Sequence, residues 1–328
     1  MRDVAKAAAV SLKTVSRVVN DEGGVRTETA ARVHEAIALL GFRRNDMARM
    51  LRQGRSSRTL GLVIEDVANP FYSAITRAVE EIARSKDYLV IAGSSDEDPE
   101  CERDLIRTLC ERRVEGLLIV PAGVDHRFLL PDLHMGMAVV FMDRPPGMIE
   151  ADTILIDNVG GARQATRHLL DRGHRRIGMI GDLPDIFTAA ERREGYVEAM
   201  KTAGIGVDEL LVKLGPHDVA AAEAATRELL ALPDPPTAIF AANNRNTIGA
   251  LRAIHGTGSR TALVGFDDFE LADLLSTPVT VVAHSPADMG RQAAELLCRR
   301  LAGDKAPPQR VRLPVQLVRR GSGEVAPP

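Results

Sequence analysis

A small all-α head joined to a two-lobed α/β body, each lobe built on a doubly wound parallel sheet, is the fold class this sequence predicts. Three observations predict it: helical apolar spacing in the first forty residues, short apolar runs alternating with helix-like stretches from Thr59 onward, and an abrupt change of charge between the two parts. Residues 1–58 hold twelve Lys and Arg against six Asp and Glu, a net of +6; the 328-residue chain is −3 overall, leaving −9 on residues 59–328. A basic head on an acidic body is the layout expected when one domain neutralises phosphates and the other does not.

In the head, Val4, Ala5 and Ala8 lie at helical spacing, Val10 and Ser11 interrupt it, and Val15, Val18 and Val19 resume it. That pattern gives two short helices across a tight turn, with Ser11 as N-cap of the second. With the valines inward, the 3.6-residue period places Leu12, Lys13, Ser16, Arg17 and Asn20 outward. These residue types, at the N-terminal end of a helix, suit a recognition helix in a DNA major groove; a three-helix bundle with a solvated polar face is the other reading. A third helix, from about Thr27 to Leu40 with Val33, Ile37 and Leu40 inward, closes the core and ends at Gly41.

Next comes a candidate hinge. Asn45 caps a short helix through Met47, Ala48, Met50 and Leu51 to Gly54. About two turns are too few to persist alone in water, so this helix is expected to order when paired with its twin on DNA.

The body's apolar runs fall into two sets. LGLVIEDV, YLVIAGS, VEGLLIVPA and MAVVFMD make one sheet; RRIGMIG, LLVKLG, TAIFAAN and TALVGFDD make the other. DTILIDN and VTVVAHS read as the crossings between lobes, and the small, Pro-rich residues 323–328 as a frayed tail. A body of this kind binds its ligand between the lobes, past the carboxyl ends of the strands.

Composition narrows the function further. No apolar run reaches the length of a membrane span and the N-terminus has no signal-peptide core, so the expected location is the cytoplasm, with no membrane partner. Cys101, Cys110 and Cys298 lack metal-ligand spacing and read as reduced thiols. No phosphate loop, nucleophile elbow or zinc-protease motif is present, so neither an enzyme nor a cofactor is expected. Gly178 and Gly181 in RRIGMIGD have the wrong spacing for a nucleotide loop.

DVA, AVS, TVSRVVN, LGF and the spacing of Asn45, Ala48 and Leu51 resemble the head of the LacI/GalR family of bacterial transcription regulators nearly end to end. IDNVGGARQATRHLLDRGHRRIGMIG and ALVGFDD resemble that family's effector domain, itself similar to periplasmic sugar-binding proteins. The resemblance implies a helix-turn-helix domain over 1–44, a hinge helix and linker over 45–57, and an effector and dimerisation domain over 58–322. Within the last, lobe 1 takes about 59–157 and 286–309, and lobe 2 about 158–284 and 310–321. It implies that Leu12, Lys13 and Arg17 read bases, that Ser11, Thr14 and Ser16 lie near phosphates, and that Leu51, flanked by Arg49 and Arg52, wedges into a minor-groove step. Leu51 stapling head to body is the alternative. The partners implied are double-stranded operator DNA, a second copy of the chain in a homodimer or higher assembly, and a small-molecule effector.

Family pattern and strand-end logic agree on the ligand residues: Asn69, Phe71, Tyr72, Asp143 and Arg144 on the first lobe; Arg192, Asn243, Asp267 and His284 on the second. Carboxylates, arginines and an aromatic face suit a polyol, and the Asp143–Arg144 pair is closest to ribose-type binding proteins, which favours a pentose-like monosaccharide. For single residues other roles stay open: helix caps for Asn69 and Asp267, a lobe-internal ion pair for Asp143 and Arg144, core packing for Phe71 and Tyr72, a backbone partner for His284. A purine or other corepressor on the same architecture, or a sugar-binding protein without operator function, are the alternatives. The chain departs from the family pattern at Ala9 (usually Gly), Asn244 (usually Asp), His284 (usually Gln), and in LGPHDV, where His217 or Val219 stands near the expected aromatic. An Ala9 held at positive φ costs about 1 kcal/mol.

Overall fold

The structure, a computed structural model, describes residues 1–20, 22–42, 57–215 and 218–328. Asn45, Ala48, Leu51 and Arg52 of the expected hinge, and His217, lie outside the described residues. The chain divides into two units, Met1–Ser57 and Arg58–Pro328.

The first unit holds α1 (Arg2–Ala7), α2 (Leu12–Val19) and α3 (Thr27–Leu39). Val4, Ala8, Val15, Val33 and Ala36 form its core. Ser11 caps α2, its hydroxyl accepting from Thr14 N at 3.1 Å. Ala9 sits in the turn at φ +49°, the left-handed conformation that its place in the motif requires. One expectation fails: Leu40 is exposed, and Ala36 takes the buried position. Helix α3 stops at Leu39, and Gly41 at φ +57° folds Phe42 back onto the core, where its amide bonds to Ile37 O at 3.0 Å. Arg32 ties α3 to the turn by donating to the carbonyls of Ala8 (2.5 Å) and Ala9 (3.2 Å).

The second unit carries two six-stranded sheets. In chain order the first lobe runs β1 (Thr59–Ile64), α4 (Pro70–Ser85), β2 (Leu89–Ser94), α5 (Pro99–Glu111), β3 (Gly116–Ile119), α6 (Leu130–His134), β4 (Ala138–Met142) and β5 (Asp152–Ile156). The second runs α7 (Asn158–Asp171), β6 (Ile177–Gly181), α8 (Phe187–Thr202), β7 (Val212–Leu214), α9 (Val219–Leu230), β8 (Ala238–Ala241), α10 (Asn244–Thr257), β9 (Ala262–Phe266) and β10 (Thr280–Ala283). Then α11 (Pro286–Leu301) returns to the first lobe, followed by β11 (Arg310–Leu313) and β12 (Gln316–Val318). The sheet orders are β11-β5-β4-β3-β1-β2, all parallel, and β12-β10-β9-β8-β6-β7, parallel except for the antiparallel edge β12.

Both faces of each sheet are covered at the central strands, which is why those strands read as continuous apolar runs; the edge strand β2 leaves Leu89 and Ile91 exposed. Leu60, Leu62 and Ile64 of β1 face Ile75, Val79 and Met289 of α4 and α11, while Val63 faces Ile106 and Leu109 of α5. Helices α7 and α8 touch so closely that a Cβ on Gly195 would lie 2.2 Å from Val159 O.

Three expectations are corrected. DTILIDN and VTVVAHS are themselves strands β5 and β10, in ladder register with β4 and β9, and the chain crosses between lobes just after each. Residues 310–313 belong to the first sheet, because β11 pairs with β5, so the third crossing lies at Pro314–Val315. Residues 323–325 are docked: Gly323 is buried, Val325 packs against the core, and Val325 O bonds to His174 Nε2 at 2.8 Å.

Candidate functional site

On the head, α2 presents the face expected of it. Leu12, Lys13 and Arg17 are exposed, and Thr14, Ser16 and Asn20 are half-buried. Ser11 and Thr14 hydroxyls bond to each other at 2.8 Å, and Asn20 Nδ2 donates to Ser16 Oγ (3.3 Å) and Glu22 Oε1 (2.9 Å). Leu12 and Lys13 therefore project from the first turn, beside the Ser11 and Thr14 hydroxyls, and Arg17 from the second turn, ahead of the anchored Asn20 amide. That arrangement is suited to base edges flanked by phosphates.

In the body, two aspartates mark equivalent places. Asp143 follows β4 and Asp267 follows β9, each in the left-handed conformation (φ +66° and +63°), and each amide bonds to the neighbouring strand, to Ile154 O and Val282 O at 2.9 Å. An L-residue held there is strained by about 1 kcal/mol or more, and such strain collects at sites where a side chain must be aimed. Both carboxylates are buried on the wall of one cavity of about 40 Å³.

Asn69, Phe71, Tyr72 and Arg144 of the first lobe line that cavity with Arg192 and Asn243 of the second. His284 does not; its Nε2 lies 3.2 Å from Asp267 Oδ1 and it backs that carboxylate from behind. Arg192 donates to Asn158 Oδ1 (2.9 Å), Ala242 O (2.6 Å) and Asp267 Oδ2 (3.1 Å), with its guanidinium 3.9 Å above the Phe266 ring. Burial works against the Asp267 carboxylate, but Arg192 and His284 hold it below the usual carboxylate range. Asp143 goes the other way: burial raises it despite Arg144 and Arg192.

The open alternatives resolve by residue. Asn69 caps α4, accepting from Phe71 N at 3.2 Å, and also accepts from Asn244 Nδ2 across the cleft at 2.9 Å. Asn243 caps α10, accepting from Asn246 N at 2.7 Å, and donates to Asp182 Oδ2 at 3.0 Å. Asp267 caps no helix. Arg144 is only loosely set against Asp143, Nε to Oδ2 being 3.6 Å; its strong partner is Glu97, gripped by both terminal nitrogens. Tyr72 is buried, but its hydroxyl donates to Glu65 Oε2 at 2.7 Å, so it is a polar wall as well as packing. Phe71 stands edge-on to Tyr72, 4.9 Å between centroids.

Sequence reasoning missed Glu65, Asp182, Asn244 and Arg245 on the cavity wall, and Glu97 and Asp66 behind it. Except for Asn244 and Arg245, all follow strand ends, the same signal that found Asp143. Arg245 reaches from the second lobe to pair with Asp66 of the first, and with Asn244–Asn69 it forms a polar bridge between the lobes. Burial, and then the charge of Glu97, push the Glu65 carboxyl up to about 7.

A helix-turn-helix with a cationic outward face, continuous in one chain with a two-lobed domain that closes on a buried polar cleft, defines a ligand-responsive DNA-binding regulator. Residues 1–45 match the lacI family of bacterial regulatory proteins, and residues 166–323 match the periplasmic binding protein-like domain. The transcriptional regulator GalS of Salmonella typhimurium is 36% identical over 316 residues, which cover 92% of this chain and 90% of that one. The ribose operon repressor of Escherichia coli is 31% identical, covering 98% of this chain and 99% of its own. The crystal structure of the lac repressor dimer bound to operator and the anti-inducer ONPF superposes with a TM-score of 0.80 at 25% identity, covering 98% of both chains. The chain belongs to the lacI family of transcriptional regulators. Among the described residues no helix is long and apolar enough to cross a membrane.

Proposed function

We propose that the protein is a homodimeric repressor of sugar-uptake or catabolism genes, that Leu12, Lys13 and Arg17 read a palindromic operator, and that a monosaccharide, pentoses first, occupies the cleft. The observation that carries the reading is the convergence of Asp143 and Arg144 from one lobe with Arg192, Asn243 and Asp267 from the other on a single cavity. Paired carboxylates accept from vicinal hydroxyls and the guanidiniums donate at fixed geometry, so a hydroxyl-bearing ring meets partners from both sides. The similarity to a repressor of a ribose operon supports the pentose.

A cavity of about 40 Å³ holds water rather than a sugar. Binding therefore separates or rearranges the lobes at the Asn69–Asn244 and Asp66–Arg245 contacts, and that movement is the event read by the DNA-binding end. A second copy of the chain supports the palindrome. The exposed edge strand β2, with Leu89 and Ile91 outward, and the exposed Leu271 and Leu274 of the second lobe offer apolar surface for it. Calorimetry across pentoses, hexoses and purines, followed by operator titration with each binder, tests the reading. A micromolar pentose that shifts operator affinity supports it, and tight binding by a purine while every sugar fails would overturn the ligand class.

A further inference from the structure

The charges that line the cleft bear on the charge of its effector, given the proposed sugar-like occupant on which this step rests. Glu65, Asp143, Asp182 and Asp267 line the cavity against Arg144, Arg192 and Arg245. Two of those guanidiniums are already engaged from behind, Arg144 by both oxygens of Glu97 and Arg245 by Asp66. Six carboxylates therefore surround three guanidiniums, and His284 is committed to Asp267.

A second observation is independent of the count. Asp143 is only 3% exposed, its Oδ1 has no hydrogen-bond partner among the described residues, and it lies on the cavity wall. A buried carboxylate oxygen left without a donor is costly, and such an oxygen in a ligand cleft is an acceptor awaiting a donor. Glu65 Oε2 and Asp143 Oδ2 both stand 3.6 Å from nitrogens of Arg144, beyond hydrogen-bond reach; the terminal nitrogens of Arg144 are taken by Glu97, and its buried Nε, beside Asp143, has no hydrogen-bond partner among the described residues and is left as a donor for a ligand hydroxyl.

We propose that this excess of acid selects an amino sugar, whose protonated amine is held by Asp143 Oδ1 beside Glu65 while its hydroxyls meet Asp267, Arg192 and Asn243. Sugar phosphates are excluded by the same charge. The groups facing Glu65 are Tyr72 on α4, Glu97 after β2, Arg144 after β4 and Arg245 on α10. Its carboxyl, pushed up to about 7 by burial and by Glu97, is partly protonated near neutrality. An ammonium beside it favours the charged form, so while the ligand amine stays protonated, binding releases a proton and affinity rises with pH; above the amine's own pKa, about 8 for an amine beside electron-withdrawing carbons, the ligand loses the proton the site holds and affinity falls again.

The experiment is calorimetry on the full chain with matched probes: D-glucosamine and D-galactosamine, their neutral parents, their N-acetyl forms, D-glucosamine 6-phosphate and D-ribose. An amine bound about tenfold or more tightly than its parent and its N-acetyl form is the expected result, the scale set by a charge-assisted hydrogen bond. At pH 6, where the amine is fully protonated, proton release on binding, read by changing the buffer's ionisation enthalpy, accompanies it. Asp143→Asn, with a native circular dichroism spectrum, reduces the amine preference to within a few-fold of the parent. A parent bound as tightly as its amine, a preferred phosphate, or D-ribose bound while both amines fail would overturn the amine and leave the sugar reading standing. If no probe binds, both fall.

Discussion

Asp143 and Asp267 show how much a single residue contributes here, since each holds a left-handed backbone to aim one carboxylate, yet one is raised by burial and the other lowered by its arginine. Asp267 joins Arg192 to His284, so Asp267→Ala is expected to abolish the effector response while operator affinity without ligand stays within about 0.5 kcal/mol, measured by operator titration with and without sugar. Glu65 contributes to the pH dependence alongside Asp143 and Asp267. Its carboxyl sits at about 7 when folded, above its ordinary 4.5, so it favours folding below pH 4.5 and that contribution is lost as pH rises through 7. Relative to the wild type, Glu65→Gln should therefore gain stability between pH 5 and pH 8, by up to about 3 kcal/mol, as thermal melts at the two pH values would show. In the head, Ala9→Gly relieves φ +49° and is expected to raise stability by about 0.5–1 kcal/mol; an unchanged melting temperature would mean the turn is unstrained. A carboxylate directly after a strand was legible for Asp143 and Asp267, whereas Glu65 and Asp182, which follow β1 and β6 in the same way, carried the same signal and were passed over. Arg245 was not legible, because its partner Asp66 lies 179 positions away on the other lobe, and a cross-lobe pair leaves no local pattern.

At the scale of elements, α2 is defined by its cap and its valines, and its outward residues divide between bases and backbone. Lys13→Ala and Arg17→Ala should each lower specific affinity by about 1–3 kcal/mol and relax sequence preference, which selection from a randomised operator library would show; an unchanged preferred sequence would remove α2 from the groove. The long strands were legible because sheets covered on both faces leave uninterrupted apolar runs. Strands β11 and β12 were not, since edge strands of four and three residues that are largely exposed or half-buried resemble connecting loop. DTILIDN and VTVVAHS were read as crossings because a buried strand and a buried connection have the same composition, and only the ladder to β4 or β9 tells them apart. The docked C-terminus depends on His174, whose ring bonds Thr237 on one side and Val325 O on the other, a contact spanning 151 residues that composition does not foretell.

For the whole molecule, the two lobes repeat one topology, with β4 and β9 in matching positions and an aspartate after each, so the cleft is walled by equivalent strand ends. The bridge of Asn69 with Asn244 and Asp66 with Arg245 joins the two walls, and it is the contact that the proposed lobe movement makes or breaks. In a two-fold dimer the operator is expected to be palindromic, with half-site centres about one helical turn or somewhat more apart, and footprinting that protects a single asymmetric half-site would refute this. Everything in the proposed function depends on a coupling between cleft occupancy and DNA affinity. Operator affinity measured at fixed salt, with and without saturating ligand, for the wild type and for Asp267→Ala, reads that coupling without an intermediary. Coupled sites give a shift of about 1–3 kcal/mol in the wild type and none in the variant. A ligand that saturates the cleft of the wild type and leaves operator affinity unchanged would show that the two ends of the molecule act independently.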